Sequence, residues 1–487
     1  MSGEVGFDIT RLDTFATAVG NASPTLGSLV SDVATLRSQA RPLLDDLMPS
    51  EQLCRPDDLA TVGTGLLDLK AEIKRRIGIL AAAKLAHQLG LPVDESAAFA
   101  ATIADRAKVD GALREIRELF GKDTGSNGNR DDLDHLQVVL AGLGPEELDA
   151  VVDGLSDEDL SRLGHLVSDT SDSGWKWWDH NGLERWERLD FYGNFLSQVS
   201  PSRIERLAGA WPQIQPGFDS TDSFLDGANP QTGENATGMH WGTPDGPLFP
   251  TGADGRPDVD GTKAAQGTFG DCWFVASTLA TQAADPGFAA DHLRANANGT
   301  VSVKMYDGDG HAHWITVTGD VPVNSSGEPI GMHSDDGATW PAYYEKAFAL
   351  AYQDDDGGAP DDHEGDDAYD RTEQGSYGAL EWDFPDHAAP YITGHGADGL
   401  GHDFDDARDA FRDGHPVLIS TPGEDDTPDP PGDWDGYVNR HVYYVVAASG
   451  DTITVANPWG PSSGQITMNS DQFDTYFGDA TAMDRAQ

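Results

Sequence analysis

The chain has 487 residues, with 83 acidic against 31 basic side chains and a formal charge of −52 at pH 7. That balance disfavours nucleic-acid binding, which needs lysine and arginine clustered against phosphate. No stretch reaches the roughly 20 apolar residues of a membrane span, and the length leaves room for two or three domains.

Residues 1–123 read as a helical N-terminal region. Leu29, Val30, Val33 and Leu36, and later Val109, Leu113, Ile116 and Phe120, recur at helical spacing. The opening Met1-Ser2-Gly3-Glu4-Val5 lacks the basic and apolar regions of a secretory signal, so the expected location is the cytoplasm or export without a classical signal. A polar break at 124–129 precedes a small helical domain expected over 130–212. Pro145-Glu146-Glu147 places proline and acids in a first turn, and Ser156 stands three residues before Asp159 as an N-cap. Trp175, Trp177, Trp178, Trp186, Phe191 and Tyr192 crowd one region, and aromatics dominate buried packing, so they read as that domain's core. The other reading makes them a docking surface for the catalytic domain or a partner. Residues 213–260 are rich in Gly, Pro, Asp and Thr and read as a linker or lead-in.

The final domain is expected over 261–487. Cys272 to Ala284 contains no Gly or Pro and sets Val275, Thr278 and Leu279 on one side, a core-facing helix opened by Gly267 and Gly270. Val301–Met305 and Trp314–Val317 are strand-like, with Asp307-Gly308-Asp309-Gly310 as the hairpin turn between them. Asp354 to Asp367 is an acid-rich insert, read as a solvated loop in preference to a calcium loop, since it lacks EF-hand spacing. Val442–Val446 and Ile453–Ala456 form a second hairpin through Ser449-Gly450-Asp451, which brings His441 and Asn457 to one end.

Cys, His and Asn in that chain order are the layout of a thiol hydrolase. A thiol is a weak nucleophile until deprotonated, and a helix N-terminus or an imidazolium favours the thiolate. Cys272 would attack a carbonyl and His441 would carry the proton. Asn457 would fix the imidazole tautomer, and Trp459 would shield the His–Asn bond. The Gln266 side chain with the Cys272 amide would donate to the oxyanion. Cys54, the other cysteine, is expected to be a small buried apolar residue.

Residues from about 240 to 480 resemble a calpain-type protease core. The segment Gln266-Gly267-Thr268-Phe269-Gly270-Asp271-Cys272-Trp273-Phe274 is similar to that family's nucleophile segment. Trp340 to Phe348 resembles its Trp-x-x-x-x-Glu-Lys-Ala-aromatic helix, and Gly319-Asp320-Val321-Pro322-Val323 resembles a strand end with an acidic residue and a Pro-Val turn. Gly375-Ser376-Tyr377 and Ile392-Thr393-Gly394 echo two more landmarks, and Asn457-Pro458-Trp459-Gly460 matches the asparagine motif. One departure stands beside the catalytic histidine, where Arg440 replaces the usual glycine.

The resemblance implies an α+β, papain-like fold behind an all-α N-terminal region, and a cysteine endopeptidase acting on protein or peptide substrates through a thioester. The chemistry itself requires no cofactor. The family's cores carry calcium sites, whose ligands this sequence does not place. With little chain after Gln472-Phe473-Asp474, calcium control by an appended EF-hand domain is not expected. Two alternatives remain open: a non-hydrolytic acyl transferase or deamidase with the same triad, and a catalytically silent protein-binding scaffold. The N-terminal half reads as a prosegment, an export module or a partner-binding region. Abundant Asp with scarce Lys resembles proteins from salt-loving organisms, with a plain solubility device as the other explanation.

Overall fold

A computed structural model describes residues 13–14, 16–18, 66–81, 104–122, 130–169, 182–217, 239–252, 258, 263–352, 375–423, 428–432, 434 and 436–486. The chain divides into two compact units: Met1–Leu183 with Asn194–Pro212 and Asn296–Thr300, and Glu184–Gly193 with Gln213–Ala295 and Val301–Gln487. The architecture mixes α and β. Among the described residues no helix is long and apolar enough to cross a membrane.

The first unit is built on α1 (Arg106–Lys122), α2 (Arg130–Ala141), α3 (Pro145–Asp153) and α4 (Asp157–Val167). Next come α5 (Arg185–Leu196), whose residues are shared between the units, and α6 (Pro201–Ala210). Val109, Leu113 and Ile116 are buried as their spacing predicts, and α1 packs on α2 and α3. The boundary expected at 123–130 therefore falls inside one compact unit, because α1 has no other apolar face to cover. Phe120 is half-buried, with the Arg162 guanidinium 4.8 Å from its ring centre. Ser156 caps α4 as its spacing predicts: its hydroxyl accepts from the Asp159 amide at 3.1 Å, and the Asp159 carboxylate accepts from the Ser156 amide at 3.2 Å. Of the expected aromatic core, Trp175, Trp177 and Trp178 lie outside the described residues. Trp186, Phe191 and Tyr192 belong to the second unit, where Trp186 stacks on His313 at 4.8 Å. Those three therefore do not form the core of a helical domain over 130–212. Leu29 to Leu36, Cys54 and the insert 354–367 also lie outside the described residues.

The second unit opens with β1 (His240–Gly242) and β2 (Ala264–Ala265), then α7 (Cys272–Ala284), α8 (Phe288–His292), β3 (Leu293–Ala295), β4 (Val301–Tyr306) and β5 (Ala312–Val317). It continues through β6 (Val321–Val323), β7 (His333–Ser334), α9 (Trp340–Ala351), α10 (Pro385–Thr393), β8 (Ala397–Gly401), α11 (Phe404–Arg412) and β9 (Val417–Ser420). It closes with β10 (Val442–Ser449), β11 (Thr452–Ala456), β12 (Gln465–Met468), α12 (Ser470–Tyr476) and β13 (Ala480–Met483). The lead-in does more than link: β1 pairs antiparallel with β6, and Gly217 bonds to the backbone of Gly375 at 2.8 Å. The main sheet is antiparallel and runs β12-β11-β10-β9-β13-β8.

Helix α7 is buried on every side from Trp273 to Gln282, more completely than one apolar face requires. Two of its three hydroxyls bond within the helix, Ser277 donating to the Trp273 carbonyl at 2.7 Å and Thr281 to that of Ser277 at 2.9 Å. Trp273 and Phe274 pack on Phe348 of α9, with ring centres 5.6 and 3.9 Å away. Each such side chain contributes roughly 2–3 kcal/mol by burial, so packing and not helix propensity holds α7.

Helix α9 is buried throughout, including Glu345 and Lys346. The Lys346 ammonium donates to the Thr318 hydroxyl at 2.7 Å and the Asp320 carboxylate at 3.2 Å, and lies 4.4 Å from the Trp241 ring centre. Burial pushes Lys346 down to about 8, against the pull of Asp320. Burial pushes Asp320 up, but the Lys346 charge and bonds from Thr318 and Gln215 outweigh it and hold the carboxylate low. Asp320→Ala strands a buried ammonium and is expected to lower the unfolding free energy by roughly 3 kcal/mol, read by urea denaturation. A loss below about 1 kcal/mol would show that the pair is not the tie between α9 and β6.

Candidate active site

The nucleophile segment is fixed before the helix begins. The Gln266 amide donates to the Pro458 carbonyl at 2.8 Å, and the Thr268 amide to that of Ile330 at 2.6 Å. Gly267 sits so close that a Cβ there would stand 2.2 Å from the Ile330 oxygen, so only glycine fits. Cys272 is the first residue of α7. The backbone amides of Val442, Trp273 and Cys272 itself favour its thiolate, as the N–H groups at a helix N-terminus do.

His441 lies immediately before β10, held by its amide to the Thr421 hydroxyl at 3.0 Å and by its carbonyl to the Thr421 amide at 2.9 Å. The β10–β11 hairpin sets Tyr444 opposite Ala456 and turns at Ser449–Thr452, so His441 and Asn457 emerge at the same end. His441 Nε2 and Asn457 Oδ1 are 2.9 Å apart. The same oxygen accepts from the Trp459 amide at 3.0 Å, while Asn457 Nδ2 donates to the Gly436 carbonyl at 3.0 Å. The tautomer follows from this network: the asparagine oxygen accepts, so Nε2 carries the hydrogen and Nδ1 keeps the lone pair. The Trp459 ring stands 4.9 Å from that of His441, tilted against it.

Cys272 and His441 line one cleft of about 880 Å³, with Trp382, Phe384, Arg440 and Asp479 among its other walls. Burial pushes the Cys272 thiol up to about 12 and His441 down to about 4, so each group alone is held neutral. Passing the proton from sulfur to imidazole makes both charges at once. Their mutual attraction then offsets the desolvation that each suffers singly.

Gln266 is tied differently from expectation. Its side-chain NH₂ donates to the Phe269 carbonyl at 2.7 Å, and the same side chain bears on the buried Asp271 carboxyl. The sequence reasoning did not anticipate the contact behind the nucleophile, where Asp271 and Glu345 face each other, both wholly buried. Glu345 Oε1 accepts from the Met332 amide at 2.8 Å, while Glu345 Oε2 and both Asp271 oxygens receive no N–H or O–H of good geometry. Two buried carboxyls in contact disfavour each other's charge, which burial already opposes, and the Gln266 side chain also bears on Asp271. Burial pushes Asp271 up to about 7; burial, then the Asp271 charge, pushes Glu345 well above the carboxylate range. The available signal was a charge inside the apolar run Trp340 to Ala351.

Cys272, His441, Asn457, Gln266 and Trp459 are thus brought together within the second unit. Among the described residues no group of three or more His, Cys, Asp or Glu side chains is arranged to hold a metal ion. No protein-family model matches the chain, and no curated protein matches its sequence.

Proposed function

We infer that the chain is a cysteine endopeptidase of the calpain type, with a papain-like fold, that hydrolyses protein or peptide substrates. The observation that carries this reading is the His441–Asn457 bond at 2.9 Å beside a cysteine that opens a buried helix in the same cleft. The thiol proton moves to His441 Nδ1 as sulfur attacks the substrate carbonyl. The oxyanion takes donors from the Cys272 amide and the Gln266 side chain. Collapse expels the amine, which receives the proton from His441, and leaves a thioester. A water, deprotonated by His441, cleaves the thioester and restores the thiol. Asn457 holds the ring in one tautomer throughout, and Trp459 keeps water from its bond.

The test joins labelling to turnover. An epoxysuccinyl probe should modify Cys272 alone and stop cleavage of a casein substrate, and Cys272→Ala should remove both labelling and cleavage while the circular dichroism spectrum is kept. Casein cleavage surviving in Cys272→Ala would overturn the reading.

A further inference from the structure

Two residues other than glycine have left-handed backbone among the described residues, Trp382 (φ 64°) and Arg440 (φ 52°). Both line the cleft that holds Cys272 and His441. A side chain in that region is disfavoured by its Cβ, and such residues persist where the surroundings hold them and a use offsets the strain. The surroundings of Arg440 are clear: its amide donates to the Pro422 carbonyl at 3.1 Å, and the next residue is the anchored His441. Glycine would occupy this position without strain.

Arginine, then, has a reason other than backbone. Its side chain is exposed, and among the described residues it forms no ion pair, in a chain with 83 acidic side chains to choose from. The cleft's carboxylates are otherwise placed or occupied. Asp383 accepts from the Tyr352 hydroxyl and the Phe384 amide, and sits 2.8 Å from His387. Asp386 and Asp479 are exposed on the cleft walls and repel an anion that has no cation to meet it. A planar guanidinium on a cleft wall is suited to bidentate binding of a carboxylate.

We propose that Arg440 is a specificity-determining residue that binds a carboxylate on the leaving-group half of the substrate. This rests on the proteolytic reading above. The half follows from chemistry: His441 hands its proton to the departing amine, so the wall next to His441 meets the chain that begins at that nitrogen. The carboxylate comes either from an Asp or Glu side chain just after the scissile bond or from a nearby chain terminus. The acidic walls limit this to a single carboxylate and disfavour acidic tracts.

The experiment uses full-length protein and peptides that differ only after the scissile bond, carrying Glu, Gln or Lys, each with a free or an amidated C-terminus. Preference is read as a ratio of kcat/KM, which cancels any change common to all peptides. Wild type is expected to favour Glu over Lys roughly tenfold, and Arg440→Glu to reverse the order. Arg440→Ala should bring the ratio to unity or below, since the acidic walls then favour Lys, and 1 M salt should shrink the wild-type ratio. Loss of preference on amidation with Gln in place would assign the carboxylate to the terminus, and persistence with Glu to the side chain. Binding of the same peptides to Cys272→Ala, with Arg440 and with Arg440→Glu, repeats the comparison without turnover. It therefore separates failure of this proposal from failure of the proteolytic reading. An unchanged Glu-to-Lys ratio across Arg440, Ala and Glu in both readouts overturns the proposal.

Discussion

His441→Ala should lower kcat/KM on a peptide substrate by about 10⁴–10⁶-fold, and Asn457→Ala by about 10²-fold. The difference follows from what each group does. In the proposed mechanism His441 carries the proton in every step, and burial already holds its ring down to about 4. Asn457 moves no proton. Its loss frees the imidazole to rotate and to take the wrong tautomer, and it orphans the Trp459 amide and the Gly436 carbonyl, both now at 3.0 Å from its carboxamide. Because Asn457 acts only through His441, the double variant should be no slower than His441→Ala alone. Steady-state kinetics on the three variants decide this. Multiplying losses would show that Asn457 contributes something other than orientation.

The buried carboxyl pair predicts the second large effect, on stability. Asp271 is pushed up to about 7 and Glu345 well above its usual range, burial being the main cause in both. The sign follows from linkage. For an acid with a raised folded value, the stabilising contribution is complete below the unfolded values near about 4 and is lost as pH rises through the folded ones. Wild type should therefore weaken from about pH 4.5 towards neutrality, while Glu345→Gln keeps the bond to Met332, offers an N–H to Asp271 and removes one titration. The folding constant of the variant relative to wild type should climb by up to roughly tenfold per pH unit over that window. Urea denaturation at intervals from pH 5 to 8 measures it, and parallel curves for the two proteins would refute the raised values of the pair. Catalysis should also respond. Burial raises the thiol most, the Val442 amide lowers it, and the Asp271 charge raises it again. Asp271→Asn should therefore lower the thiol only above about pH 7, where Asp271 carries charge, and leave the acid limb of kcat/KM in place.

What the sequence carried by itself was local. The limits of α7, the Ser156 cap, the turn at Ser449–Thr452 and the turn closed by the Asp307 amide on the His311 carbonyl at 3.0 Å each depend on residues a few positions apart. Spacing and turn chemistry encode such features directly. The order Cys272, His441, Asn457 was legible for the same reason, since the hairpin that joins the last two is itself local.

Tertiary structure alone decided the rest. The β1–β6 pairing, the sheet order and the stacking of Trp186 on His313 join segments tens to more than a hundred residues apart, and no periodicity records a partner that distant. The same holds for the contact of Asp271 with Glu345, whose acidity is set by what surrounds them and not by their neighbours in the chain. Arg440 joins the two kinds of information. The sequence marked it as the residue out of place, and only the folded backbone, at φ 52° beside the anchored histidine, gave the reason that glycine belongs there.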